Sequence, residues 1–341
     1  AQAGDRAEAR NASLHLVSVL DDSGESDRAR DVLAEWADEA ADDTEVLRAL
    51  RSRDTLAQRW ADVAAICMRL MDVEQGDARI EAALGLADAC EKLGQPGDAL
   101  PALQRVHEDA PDSLELRQRL RALYEQLGFK RELALLITGD AELESDAGDK
   151  LGLLLRAAEL FLEIGEAEMA SHPLSRALQL SPDDDRTRLM LVDLHLSLGR
   201  VDEAAAIVEP IVGNAKRKRS PELAMFQQRM ARISAQRGDQ ASQLRWLNTA
   251  LETDRKSGEV ASELAEASMA IEDYDTAMKA LRTLTMMEDP RPITRALAFL
   301  KQAQIAVVRG DVQRAQHWAR KAKSLDENLI EVDEFLAKIG G

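Results

Sequence analysis

Aromatic residues make up only 3% of this 341-residue chain, and glycine (18) and proline (9) are few. Strands draw on Val, Ile, Thr and aromatic side chains, so a sheet-rich fold is not expected. Two cysteines, Cys67 and Cys90, are too few for a disulfide framework or a metal knuckle. They read as buried free thiols of a reducing compartment, which points to the cytoplasm. Residue 1 is Ala rather than Met, so the chain reads as a processed or excised piece, and a removed leader would move the expectation to the periplasm. Positive charge is short as well, with 44 Lys and Arg against 62 Asp and Glu and a net charge of −18. A nucleic-acid binder or a protein docking on anionic lipid needs a positive field, so neither is expected. No stretch approaches the ~20 consecutive apolar residues of a membrane span, and no basic start leads into an apolar run.

What remains is a helix-rich alphabet, with hydrophobic content of 45%, enough to offset the entropy of ordering. Its arrangement is repetitive. Comparable turns fall at Gly24, Arg59, Gly94, Gly128, Gly165, Gly199, Gly238, Glu272 and Gly310, spaced 34 to 39 residues apart. Five residues after each turn stand Ala29, Ala64, Ala99, Leu133, Ala170, Ala204, Gln243, Ala277 and Ala315. Nine after it every residue is apolar, from Leu33 and Met68 to Leu281 and Ala319. Each unit therefore reads as two amphipathic helices joined by a left-handed turn, with small residues where the helices cross. Neither helix pair buries its apolar face alone, so the units stack.

The run Gly165-Glu166-Ala167-Glu168-Met169-Ala170, then Leu174, Ala177-Leu178 and Ser181-Pro182-Asp183-Asp184, resembles the tetratricopeptide repeat. Pro111-Asp112-Ser113 and Ala250-Leu251 are fragments of the same pattern. The resemblance implies an all-α, right-handed superhelical solenoid of about nine helix pairs, as a single domain over 1–341. Units are expected near 10–43, 45–78, 80–113, 114–147, 151–184, 185–218, 224–257, 258–291 and 296–329, with a capping helix at about 328–340 bearing Leu329, Val332, Leu336 and Ile339 on one face and Gly340 as its stop. Asp5 is expected to cap the first helix. Pro101, Pro173 and Pro210 fall inside second helices and predict local irregularity. Units two and four, with Arg51, Arg121 and Asp140 at normally small or apolar positions, are expected to be the weakest.

Motifs that carry chemistry are absent. Arg237-Gly238-Asp239 and Arg309-Gly310-Asp311 resemble adhesion tripeptides, but both occupy the turn inside a unit, and the repeat accounts for them. Asp183-Asp184-Asp185 lacks the alternating ligands of a calcium loop and suits a helix N-terminus. The five histidines show no zinc spacing, and no phosphate loop or nucleophile elbow occurs, so no catalytic residue, metal or cofactor is expected.

In the family, first helices of successive units line a groove that holds peptides or partner helices. Carried over, the groove positions hold twelve acidic residues against four basic. This predicts a protein-interaction scaffold or adaptor whose groove residues are Leu84, Asp88, Glu91, Glu125, Leu155, Glu159, Glu163, Leu189, Asp193 and Arg232, with basic or amphipathic protein partners. The Lys and Asn clamp of chaperone-tail binders is missing, with Leu14, Ser18, Ala49 and Arg53 at corresponding positions. Lys216-Arg217-Lys218-Arg219 reads as the only basic cluster, a solvated loop in the longest insertion between units or, alternatively, a contact for an acidic partner. Alternatives are a structural protein that assembles with copies of itself, and the regulatory arm of a larger enzyme.

Overall fold

The computed structural model describes residues 2–213 and 219–339, with side chains from Glu8 onward. Nineteen α-helices and no strand occur among the described residues. Taken two by two in chain order, and called pairs in that sense, they are α1 (Gln2–Asp22) and α2 (Ser26–Glu39), α3 (Thr44–Leu56) and α4 (Trp60–Val73), α5 (Gly76–Lys92) and α6 (Leu100–Asp109), α7 (Leu114–Leu127) and α8 (Lys130–Leu143), α9 (Ala147–Glu163) and α10 (Ala167–Leu180), α11 (Asp185–Ser197) and α12 (Val201–Gly213), α13 (Pro221–Gln236) and α14 (Gln240–Thr253), α15 (Gly258–Ala270) and α16 (Tyr274–Met286), and α17 (Arg295–Val308) and α18 (Val312–Leu325). The last helix, α19 (Ile330–Ile339), is single. The chain divides into two compact bodies, 1–165 and 166–341, so the boundary falls in the turn between α9 and α10.

Seven of the nine turns inside pairs carry a glycine with φ between 71° and 78°. The other two are Gln58 (φ 57°) and Glu272 (φ 62°), side-chain-bearing residues in the left-handed region. The second turn is thus centred on Gln58 rather than on Arg59. The correction moves the register by one: Val63 and Cys67 take the core positions and are buried, while Met68 is 51% exposed. Arg51 then stands, like Arg121 in the fourth unit, where the remaining units put Ala or Val. Its guanidinium lies 3.7 Å from the place a Cβ on Gly85 would occupy, and it pairs with Glu81.

Corrected turn positions alternate in spacing: 34, 36, 34, 37, 34, 39, 34 and 38 residues. First helices alternate accordingly. Those of the odd pairs have 21, 17, 17, 16 and 14 residues, against 13, 14, 13 and 13 in the even pairs. Each even pair begins with a side chain that accepts from a backbone N–H in the first turn: Asp43 from Val46, Ser113 from Leu116, Asp184 from Thr187 and Ser257 from Val260. Such caps satisfy donors that the helix leaves orphaned.

The core sits where helices cross. Ala29, Ala99, Ala170, Ala204, Ala277 and Ala315 are fully buried, and so are Leu33, Leu103, Leu174, Val208, Leu281 and Ala319 four residues on. Each such leucine contributes about 2 kcal/mol of hydrophobic burial. At the C-terminal end Val332 of α19 is fully buried against Leu300, Ala303, Ala306 and Ala319, with Leu329, Leu336 and Ile339 packed around it. Gly340, the expected stop, lies outside the described residues.

Two expectations change. The first helix runs through Asp5 from Gln2, so that residue is interior and not a cap. Pro101 falls in the first turn of α6, where a missing N–H costs nothing, preceded by a 3-10 turn at Pro96–Ala99; Pro173 and Pro210 are inside α10 and α12. The charged residues of the second and fourth pairs are also not orphaned. Asp140, 6% exposed, accepts from Arg117 at 3.0 Å and from Arg121.

Ion pairs join neighbouring pairs in register. An acid three residues after one turn meets an arginine beside the next: Asp27 with Arg59 (2.9 Å), Glu168 with Arg200 (2.8 Å), Asp202 with Arg237 (2.9 Å) and Asp275 with Arg309 (2.8 Å). Asp239 and Asp311 in turn accept from the N–H groups of Ser242 and Arg314. Both charged residues of each Arg-Gly-Asp tripeptide are therefore engaged in holding the repeat.

Candidate functional site

In the N-terminal body the first turns of α5 lie against the four-residue link Ala110–Ser113 and the start of α7. The link is short because Ala110 N–H closes α6 on Val106 and the Ser113 side chain opens α7. Between these segments is a cleft of about 750 Å3. Five carboxylates line it (Asp77, Glu81, Asp109, Asp112 and Glu115) and no basic residue does. Two are engaged from outside the cleft, Asp109 by Arg79 at 2.6 Å and Glu81 by Arg51. Asp77, Asp112 and Glu115 are exposed and have no ion pair among the described residues. Asp77 and Glu115 stand in first turns of helices, where the positive end of the macrodipole favours an ionised carboxylate. The apolar part of the lining is Ile80, Leu84, Pro111 and Leu114, of which Leu114 is 59% exposed.

The remaining expected groove residues of this body are dispersed. Asp88 and Glu91 share Arg119, at 3.0 and 2.7 Å. Glu125 is exposed on α7. Glu163 accepts from Lys130 at 2.9 Å, and this bond holds its carboxyl below the ordinary value. Glu159 is half-buried, 3.8 Å from Arg156. Leu155 is 7% exposed and belongs to the core, which corrects its assignment as a ligand contact.

The C-terminal body has its own cleft, of about 720 Å3, between α11, α13 and α15. Small residues open it: Ser197, Ala231, Ala235, Ala267 and Ala270. Gln236 donates from Nε2 to the Leu196 carbonyl at 3.1 Å, tying α13 to the end of α11. Asp193 accepts two bonds from Arg229, at 3.0 and 2.7 Å. Arg232 donates to Glu259 at 2.8 Å and from Nε to Glu263 at 3.0 Å. Burial pulls the Arg232 guanidinium down, and the bonds to Glu263 and Glu259 more than offset it, leaving it above its ordinary value. Leu189, 8% exposed, packs with Val192, Phe226 and Met230 and is likewise core.

Part of the acidic bias expected of the groove is thus neutralised within each body, by cations at a position outside the expected groove set. Arg119, Arg229 and Lys301 each stand nine residues before a turn, and each meets an acid six residues before the preceding one: Asp88, Asp193 and Glu266. The α5–α7 cleft escapes this pairing. Of its residues, Asp112 is legible in the sequence only as part of the Pro111-Asp112-Ser113 fragment, and Asp77 is not among the expected groove positions.

Lys216, Arg217 and Lys218 lie outside the described residues, and Arg219 is exposed. Cys67 and Cys90 are buried free thiols, and burial pushes Cys67 up to about 11, away from nucleophilic use. Among the described residues no group of His, Cys, Asp or Glu is placed to hold a metal, and no helix is long and apolar enough to cross a membrane.

Residues 165–230 match a family model described as tetratricopeptide repeat. No curated protein matches the chain. Similar solved structures include a tetratricopeptide repeat protein from Parabacteroides merdae, 17% identical over 76% of this chain and 98% of that one, with a TM-score of 0.43. PilF of Pseudomonas aeruginosa is 19% identical over 66% of this chain and 96% of its own, at 0.45. PilW, a type IV pilus biogenesis factor, is 17% identical over 65% and 97%, at 0.46.

Proposed function

We propose that this chain, an all-helical repeat protein whose residues 165–230 match the tetratricopeptide repeat, is a non-catalytic interaction scaffold that captures a basic, amphipathic segment of a partner protein. The observation that carries this reading is the α5–α7 cleft, where five carboxylates and no base surround Ile80, Leu84 and Leu114. Carboxylates on one concave wall reinforce one another's field and speed the encounter with a cation. Each exposed charge contact contributes only ~0.2–1 kcal/mol, so affinity comes mainly from apolar anchors. A ligand that fits places Lys or Arg side chains on Asp77, Asp112 and Glu115 and an aliphatic side chain on Leu84.

A labelled peptide of alternating Lys and Leu tests the reading by stopped-flow fluorescence. Asp112→Lys with Glu115→Lys is expected to lower the association rate about fivefold or more at low salt, with helicity unchanged. Leu84→Ala should act on dissociation instead. Association rates untouched by the double reversal would remove the cleft from consideration.

A further inference from the structure

Charge is unevenly distributed along the chain. Between residues 276 and 324 stand ten Lys and Arg against three acids (Glu288, Asp289 and Asp311), a local excess of positive charge inside a chain of net −18. The C-terminal body folds part of this segment into a pocket of about 410 Å3 between α16, α17 and α18. Lys279, Arg282, Arg309 and Arg314 line it together with two acids, Asp275 and Asp311, over a floor of buried Met278 and Ile305. The half-buried Trp318 forms one wall, with the Arg314 guanidinium 5.8 Å from its ring centroid. Lys216–Arg219 is therefore not the only basic cluster, because three helices gather a second from residues spread along the sequence.

The four cations are not equivalent. Arg309 is held by Asp275 at 2.8 Å as part of the repeated ion-pair register, and Arg314 lies 3.5 Å from Asp311. Lys279 and Arg282 are exposed, three residues apart on one face of α16, and have no ion-pair partner among the described residues. Holding the repeat together does not use them. Two unengaged cations beside an indole face and an aliphatic floor offer one anionic subsite next to one apolar subsite.

We propose that this pocket binds an acidic segment of a partner protein, its carboxylates on Lys279 and Arg282 and a neighbouring apolar side chain against Trp318. Charge complementarity selects the occupant. A long polyanion such as nucleic acid would carry its charge well beyond the pocket, into a molecule that is otherwise strongly negative. A short acidic segment engages only the local field, which salt confines to about 8 Å at physiological strength. The site is independent of the α5–α7 cleft, has the opposite charge preference, and stands or falls separately.

Fluorescence anisotropy on the full chain tests it, using a labelled peptide with two central leucines flanked on each side by two glutamates, and its glutamine counterpart. The glutamate peptide is expected to bind and the glutamine peptide to bind about tenfold more weakly or not at all. Lys279→Glu with Arg282→Glu should lower affinity for the glutamate peptide by about tenfold, with unchanged helical circular dichroism. Trp318→Ala should weaken it too, whereas Asp112→Lys with Glu115→Lys should not. Full affinity in the α16 double variant, or equal binding of both peptides, overturns the proposal. So does tighter binding of an oligothymidylate than of the peptide. A self-association at low salt that the α16 double variant abolishes would assign the pocket to a second copy and also overturn it.

Discussion

Asp54 is 1% exposed, yet it is charged and central to the first link between pairs. Arg30 donates to both its oxygens, at 2.9 and 3.3 Å, and also reaches Asp62. Removing one member of such a buried pair leaves the other without compensation, at a cost of roughly 3 kcal/mol. Asp54→Ala should lower the urea midpoint accordingly, and adding Arg30→Met should restore most of the loss; equal midpoints for wild type and Asp54→Ala would show that the pair holds nothing. Glu272 is a smaller and opposite case. It occupies φ 62°, where a Cβ costs about 1 kcal/mol and glycine nothing. Glu272→Gly should therefore raise the melting temperature slightly, despite the greater freedom of the unfolded chain. Two histidines add a pH term. Burial holds His107 and His195 below their ordinary value of 6.5, and no partner reaches the Nδ1 of either among the described residues. The unfolded chain protonates first as pH falls, so stability that is complete above about pH 6.5 declines as pH drops through the folded-state values. Urea midpoints should fall between pH 7.5 and 5.5, a window above the titration of ordinary carboxylates, and His107→Gln with His195→Gln should flatten the trend.

At the scale of the helix, the pattern of small and large apolar residues carried most of the information. The Ala and Leu positions after each turn became the buried crossings because a period of 3.6 leaves one face to pack. Where the pattern failed, it failed for local reasons. Glycine marks seven turns, but Gln58 adopts the same backbone without the signature, so the residue types alone place the second turn one residue late. Groove residues were harder to read, because a carboxylate's effect depends on what the adjacent helix brings to it. Asp193 looked like a free ligand contact and proved to be half of a bidentate pair with Arg229, 36 residues away. Leu155 and Leu189 carry the spacing of groove anchors and are core, at 7% and 8% exposure, because spacing from a turn does not say how much of a side chain the neighbouring helices cover. The end helix was legible throughout. Deleting α19 would expose Val332's neighbours Leu300, Ala303 and Ala306, so truncation after Leu325 should leave α17 and α18 the least protected helices in hydrogen exchange.

At the scale of the whole chain, the alternation of 34-residue spacings with spacings of 36 to 39 has a consequence for how such a protein is built and rebuilt. Like turns recur at Gly24, Gly94, Gly165, Gly238 and Gly310, so the interchangeable brick is a double hairpin of 70 to 73 residues. Removing residues 24–93 joins Ser23 to Gly94 and leaves every surviving joint of its original kind. Removing 24–57 instead sets two long first helices in succession, with no capped link between them. The larger deletion should therefore melt more cooperatively than the smaller one, a reversal of the usual expectation that less surgery does less harm. Lineages that lengthen or shorten this array by recombination would then be expected to do so in even numbers of hairpins.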